Sequence, residues 1–398
     1  NNNGINRNFN LQADYTVPVG KAGKIEAGLR NQIRKSESST LATRFNDNTG
    51  QFDYNYALTN DFNSTDRVSA AYVNYQNTIN SFGYQIGLRA EDASLDTRLG
   101  TYGPAINYVT TPGKVAYTRL YPSVFLSQKL EGDNQLQLSY SRRVNRPRGW
   151  DTNPFRDVSD PTNIRMGNPN LLPEDVHAFE LSHSKYFRKG SFTTSAYMRR
   201  TNDEIQRITF EPEAESIATT TIPLNVATST SFGLELINRT DVSKKWNFTT
   251  NVNLYQRNIS AVPEYDLPAN KGFSWNANLT NNITLPYNIT LQIKGDYRSR
   301  EVTAQGYRRS MYAFDGGAKY DFPNKSASLS LNVRDIFNTR NWTTVTRGIN
   351  DASLRDSRRY QQGTIMNLTF SYRFGKSTFE MKKKKPEQQE NRSDEENF

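Results

Sequence analysis

Few side chains in this 398-residue chain could do covalent or metal chemistry. It has no cysteine and only two histidines, His177 and His183. Disulfides, thiolate nucleophiles and sulfur-ligated metal centres are therefore excluded. Six positions apart on a strand, the histidines share a face but stand roughly 20 Å from each other at ~3.3 Å per residue, too far to hold one metal ion. No Gly-x-Ser-x-Gly, His-Glu-x-x-His, phosphate-loop or Cys-x-x-Cys pattern occurs. Phe45-Asn46-Asp47-Asn48-Thr49-Gly50-Gln51-Phe52-Asp53 bears carboxylates, but it lacks the spacing and the closing bidentate glutamate of a calcium loop. It reads as a flexible polar loop. No enzyme activity, metal or cofactor is expected from these residues.

Binding chemistry is better represented. Lys and Arg number 50 against 40 Asp and Glu, a formal charge of +10. Arg142, Arg143, Arg146, Arg148, Arg156 and Arg165 cluster around one long connection, and Arg355, Arg358 and Arg359 around another. Such a cationic rim could steer an anionic ligand. Arg148, Trp150, Phe155, Arg165 and Trp342 are the candidate ligand contacts, because they are bulky or cationic residues in long connections.

The elements that carry these residues are strands. A mean hydropathy of −0.79 leaves no apolar run near the ~20 residues a spanning helix needs. Disorder is excluded by an aromatic content of 12%, because disordered chains are poor in aromatics. Apolar and polar residues instead alternate. Leu136, Leu138 and Tyr140 interleave with Gln135, Gln137, Ser139 and Ser141. Phe273, Trp275, Ala277, Leu279, Ile283 and Leu285 interleave with Asn276, Asn278, Thr280, Asn282 and Thr284. Met366, Leu368, Phe370, Tyr372 and Phe374 interleave with Asn367, Thr369, Ser371 and Arg373. Period two gives a strand one apolar and one polar face.

Fifteen strands are predicted: 5–17, 24–36, 66–78, 82–98, 115–130, 135–146, 175–187, 191–210, 224–242, 246–260, 271–285, 287–303, 308–322, 326–346 and 358–374, with 41–62 able to hide one further hairpin. Their connections alternate between tight polar turns, such as 131–134 and 286–288, and long irregular loops, such as 37–65, 146–175 and 347–357. This asymmetry is the signature of an all-β, transmembrane antiparallel β-barrel with short periplasmic turns and long extracellular loops. Nucleic-acid binding fits amphipathic strands and long loops poorly, despite a pI near 9.5. Aromatics gather near strand ends, among them Tyr186, Phe187, Trp246, Tyr320, Phe322, Tyr372 and Phe374, as interfacial girdles require. Asn-x-Thr triplets such as Asn247-Phe248-Thr249, Asn282-Ile283-Thr284 and Asn367-Leu368-Thr369 put Asn and Thr on one face around an apolar residue. They suit a wall between water and lipid rather than glycosylation.

The long connection contains Asn153-Pro154-Phe155, Asp160-Pro161 and Gly167-Asn168-Pro169-Asn170-Leu171-Leu172-Pro173-Glu174, followed by a strand near His177. This combination resembles the barrel of TonB-dependent receptors, in particular the Bacteroidetes outer-membrane β-barrel family. The closing strand, Asn367 to Phe374, resembles an outer-membrane targeting signal. The resemblance implies that the whole protein is a 22-stranded barrel in the outer membrane of a Gram-negative bacterium. It also implies an N-terminal plug and energised import of a scarce siderophore, vitamin, glycan or peptide through TonB. Residues 1–375 would be the C-terminal part of that barrel, without the plug, and 376–398 a disordered, charged periplasmic tail. Implied partners are outer-membrane lipid and lipopolysaccharide, whose phosphates suit the arginine-rich mouth, and a lipoprotein. A passive porin and a secretion-associated scaffold are the alternative functions.

Overall fold

A computed structural model describes residues 2–103, 107–212, 217–323, 326–348, 354–360 and 363–374. The expected tail at 376–398 lies outside them. Fifteen strands form one continuous antiparallel wall. They are β1 (Asn2–Val19), β2 (Gly23–Thr40), β3 (Asn60–Ile79), β4 (Phe82–Tyr102) and β5 (Tyr108–Leu130). Next come β6 (Asn134–Asn145), β7 (Glu174–Phe187), β8 (Gly190–Phe210), β9 (Thr219–Ser243) and β10 (Trp246–Ile259). The wall ends with β11 (Asn270–Leu285), β12 (Ile289–Arg298), β13 (Met311–Asp321), β14 (Ala327–Arg334) and β15 (Ile365–Tyr372). Every neighbour in the wall is also the next wall strand in the chain, so the sheet is a pure meander. Among the described residues β1 pairs only with β2, and β15 only with β14. The sheet is therefore open along both edges.

Register explains why this polar sequence makes a stable wall. Tyr15↔Ala27↔Val73↔Leu88↔Pro122 is one apolar row across five strands. Leu234↔Leu254↔Trp275 and Ala318↔Leu331↔Leu368 continue that face further along. Leu11, Leu29, Leu138, Phe179, Leu181, Leu279 and Leu368 on it are exposed. Large exposed apolar side chains at every second position would aggregate in water and are satisfied by lipid. The opposite face is polar and lines two cavities. One, of about 410 Å³, is bounded by Gln85, Gln137, Ser139, Glu180 and Ser182. On this face the Asn247 amide accepts from Asn282, which in turn accepts from Gln292, a ladder across β10, β11 and β12. The Asn-x-Thr triplets thus point their polar members inward, as expected. Gly233 illustrates a close approach on the same face. A Cβ there would lie 2.3 Å from the Tyr197 ring, which crosses over the glycine so that its hydroxyl donates to Asn253 at 2.9 Å.

Aromatic pairs mark both rims of the apolar band. Tyr75–Tyr84, Tyr320–Phe322 and Tyr372–Phe374 lie near the turns, with centroids 5.9, 4.9 and 4.7 Å apart. Tyr140–Phe179 and Trp275–Tyr297 lie toward the loops, at 4.7 and 4.4 Å.

Three predicted strands are shorter than expected. The twelfth stops at Arg298, the fourteenth at Arg334, and the fifteenth begins at Ile365. The intervening residues leave the wall. Glu301–Thr303, Gly306–Arg308, Asn341–Arg347 and Leu354–Tyr360 build a separate four-stranded sheet above it. The hairpin suspected within 41–62 exists as Thr43–Asn46 paired with Gln51–Tyr54, also outside the wall. Its carboxylate Asp53 accepts from the Asn46 side-chain amide at 2.7 Å, closing a turn at Gly50.

Candidate functional site

The loop ends of the strands are where this protein keeps its buried core. Ile208, Ala227, Ile259, Val262, Leu267, Val302 and Ala304 form one buried cluster, drawn from the tops of β8, β9 and β10 and from two loops. Amide side chains lock the loop sheet onto it. Gln305 accepts from the Thr209 amide at 2.9 Å and donates to the Thr209 carbonyl at 2.7 Å. Asn270 donates to the carbonyls of Thr303 and Gly306 at 2.8 and 2.9 Å. Arg257, with a side chain 15% exposed, pairs with Glu204 and with Glu301, which ties β8 and β10 to the same sheet. Apolar burial together with these hydrogen bonds and ion pairs makes this layer a packed structure of its own.

The long connection between β6 and β7 is held with comparable detail. Its Gly149–Asp151 turn sits beside the 167–174 motif. The Gly167 amide donates to the Asn153 carbonyl and the Asn168 amide to the Asp151 carbonyl, both at 2.7 Å. A Cβ at Gly167 would lie 2.5 to 2.7 Å from backbone atoms of Asp151 and Asn153, so only glycine fits. Asn163–Arg165 adds a short parallel strand to Thr219–Thr221 of β9. Leu171, with no exposed surface, Pro173 and Ile164 are buried beneath the loop. The Asn225 side chain accepts from the Leu172 amide at 2.8 Å and donates to the Leu172 carbonyl at 2.9 Å. Glu174 accepts from Asn145 and from the Ile205 amide, each at 2.7 Å. The motif works first as a staple between the loop and the tops of β6, β8 and β9.

Beneath this loop, on the polar side of the wall, lies a cavity of about 560 Å³. Arg34, Asp66, Tyr117, Arg146, Arg148 and Leu171 are among the residues lining it. Glu91, only 3% exposed, anchors its wall by pairing with Arg89 at 3.0 Å and with Arg146. Arg146 also donates to the Tyr117 hydroxyl at 2.8 Å. Burial pushes the Arg146 pKa down, while Asp66 nearby offsets part of that shift. On the outer part of the loop, hydrogen bonds from Ser159 hold Asp157 below the usual carboxylate range, and bonds from Asn163 and Thr162 do the same for Asp160.

The five candidate contacts do not converge. Arg148 lines the cavity. Trp150 is exposed, and the Arg207 guanidinium lies 4.1 Å above its ring while pairing with Asp151 at 2.8 Å. Phe155 is half-buried, with its amide donating to the Asn153 side chain at 3.0 Å. Arg165 is exposed on the short parallel strand. Trp342 belongs to the separate loop sheet, with Arg298 4.9 Å above its ring. The arginine cluster is also partly consumed, since Arg142 chelates Asp175 through Nε at 2.9 and 3.1 Å. Arg34, Asp66 and Glu91 carry no sequence signal beyond strand parity, which puts them on the polar face. Tyr117, which its place near a strand end marks as a girdle aromatic, instead faces the cavity and accepts from Arg146. Among the described residues, no group of three or more His, Asp or Glu is placed to hold a metal.

Solved structures of similar fold include two receptors and a transporter. The chain resembles the ferric yersiniabactin uptake receptor FyuA from Yersinia pestis, with a TM-score of 0.62 and 12% identity over 94% of this chain and 55% of that one. It resembles the copper transporter OprC with a TM-score of 0.61 and 10% identity over 93% and 57%. The siderophore receptor PiuA from Acinetobacter baumannii gives 0.60 and 13% over 93% and 56%. At these identities the likeness is one of fold, and the chain spans a little over half the length of each. Among curated proteins none matches at a significant level. The sequence profile of the outer membrane protein beta-barrel family matches residues 1–372, the whole of the wall and its loop layer, and the chain belongs to that family.

Proposed function

We propose that this chain forms the larger part of the wall and the extracellular loop layer of a TonB-dependent receptor, which binds a scarce substrate outside the cell and imports it. That substrate is a siderophore, vitamin, glycan or peptide. The observation that carries the reading is the pairing of two features. A lipid-facing wall encloses polar surface, and above that surface a packed loop layer covers a cavity of about 560 Å³ lined by Arg34, Arg146, Arg148 and Tyr117. A pore needs only the first feature. A receptor needs the second, because a ligand is selected by groups held in place before it arrives. Two open sheet edges, and a span of 55% of the length of FyuA, are compatible with remaining strands and a plug contributed by the rest of a longer protein. Arg148 is the one residue of the original candidate set that lines the cavity, and it is assigned to the ligand.

The test is uptake by whole cells carrying the complete protein, with and without TonB. Import that stops when TonB is removed supports the reading. Import that persists, together with steady single-channel conductance, assigns the protein to passive diffusion instead.

A further inference from the structure

The smaller cavity, of about 410 Å³, is lined only by residues of β3 to β7 and lies toward their turn ends, away from the loop layer. Register sets its side chains out in two neighbouring rows on the polar face. Gln76↔Gln85↔Phe125↔Ser139↔Glu180 is one, and Gly83↔Ser127↔Gln137↔Ser182 is the next toward the turns. Phe125 stands in the middle of the first row, 38% exposed, and among the described residues no other ring packs on it. The polar groups around it are equally uncommitted. Among the described residues Gln76, Gln85, Gln137, Ser139, Ser182 and Glu180 have no side-chain hydrogen bond or ion pair. On β9 to β12 the same residue types satisfy one another instead. Asn282 donates to Asn247 at 3.0 Å, Gln292 to Asn282 at 2.9 Å and Asn251 to Glu235 at 2.8 Å. In the cavity, glycine and serine at 83, 127, 139 and 182 stand between the longer side chains, which leaves the ring open and the amides apart.

The chemistry of these groups selects a ligand class. A phenyl face is weakly negative and attracts slightly positive C–H groups, such as those on one face of a sugar ring. Each sugar hydroxyl both donates and accepts; a glutamine amide offers both roles, and a carboxylate accepts twice over. An open ring with amides and one carboxylate beside it therefore matches a sugar lying flat on Phe125 with its hydroxyls directed outward. Among the described residues lining the cavity none is a cation and Glu180 is the one charge, which disfavours an anion. The volume lies toward the small end of the ~300–1,000 Å³ typical of small-molecule sites. Position relates this cavity to the larger one, since β3, β4 and β5 line both. On β5, Tyr117 of the larger cavity is eight residues nearer the loops than Phe125 (125 − 117). At ~3.3 Å per residue and a tilt of ~45°, that separates the two by about 19 Å in height.

We infer that the cavity at the turn ends of β3 to β7 binds a neutral sugar ring, with Phe125 as the stacking platform and Gln76, Gln85, Gln137 and Glu180 as its hydrogen-bonding rim. The inference rests on the receptor reading and deepens it. A substrate leaving the loop-end cavity along β3 to β5 meets a second station, made for an uncharged, hydroxyl-rich group.

The complete protein, in a detergent without a sugar head group, is mixed with the trisaccharides of glucose, galactose, mannose or xylose, and saturation transfer from protein to sugar protons is recorded by NMR. At least one trisaccharide is expected to bind, with transfer strongest to the C–H protons on one face of a ring. Phe125→Leu keeps apolar bulk but removes the aromatic face, and is expected to weaken binding about tenfold, whereas Phe125→Trp retains it. Gln85→Leu is expected to weaken binding by roughly several-fold. Thr280→Ala, on the polar face of β11, keeps wild-type binding. Absence of transfer to every trisaccharide overturns the site and assigns the free amides to another part of the complete protein. Equal binding by wild type and Phe125→Leu also overturns it. If the Phe125 variants fail to fold, the wild-type protein decides: tighter binding of the galacturonic acid trisaccharide than of the galactose one overturns the site, and the reverse supports it. TonB dependence of uptake is read separately. Sugar binding by a protein whose uptake ignores TonB overturns energised import and leaves the site standing, and TonB-dependent uptake without sugar binding overturns the site alone.

Discussion

Leu171 offers the sharpest test of the idea that the loop layer is a packed structure with its own stability. Its side chain has no exposed surface and touches the cavity below the long loop. Truncation to alanine removes buried methyl and methylene groups and leaves a void. Substitutions of this kind cost ~2–5 kcal/mol, and about 3 kcal/mol is a reasonable centre. The loop can open while the wall stays paired, so the cost falls on local opening rather than on global unfolding. Three kcal/mol at ~1.4 kcal/mol per decade is about a hundredfold. Hydrogen exchange on the folded protein in detergent reads this directly. The amides of Gly167, Asn168 and Met166, which donate to Asn153, Asp151 and Thr221, are expected to exchange about a hundredfold faster in Leu171→Ala. Amides between β3 and β4, such as those of the Ala71↔Ala90 pair, are expected to keep their protection. Unchanged loop exchange would show that Leu171 does not hold the loop. Equal acceleration in loop and wall would show that the two are one cooperative unit, and the layered account would be wrong.

Asn225→Ala removes two hydrogen bonds to Leu172 and one to Asp203, which are net worth ~0.5–1.5 kcal/mol each, so faster protease cleavage within 146–173 is expected while the wall remains resistant. Leu181→Arg on the lipid face is expected to lower barrel stability by ~2–4 kcal/mol in a urea titration in lipid, whereas Gln137→Arg on the polar face costs less; a reversed order would invert the assignment of faces. Asp157 and Asp160 have folded-state pKa values held below the unfolded ones, so their stabilisation is present above about pH 4 and is lost as pH falls through the folded values. Loop exchange near Arg165 should therefore accelerate on acidification, and D157N/D160N should flatten that dependence. Arg148→Ala is expected to weaken substrate binding by several-fold with no change in loop protection, measured by ligand titration of the complete protein.

Much of this molecule could be read directly along the chain. Alternation at Leu136 to Tyr140, Phe273 to Leu285 and Met366 to Phe374 determined the strands, their two faces and the membrane-spanning class. Side chains on a strand alternate because the backbone does, so a one-dimensional pattern suffices. Tight turns at one end of the strands and long loops at the other are legible for the same local reason. The peeling away of Glu301–Thr303, Asn341–Arg347 and Leu354–Tyr360 into a separate sheet was not legible, because those strands satisfy their hydrogen bonds with partners far off in the chain. Nor was the fate of the arginines, since Arg142 and Arg146 look equally available in sequence until Asp175 and Glu91 are folded against them. Only the tertiary pairing, which brings Arg34, Tyr117 and Arg148 to one cavity, turns scattered charges into a site. Proximity across strands depends on pairing between distant segments, and no local rule contains it.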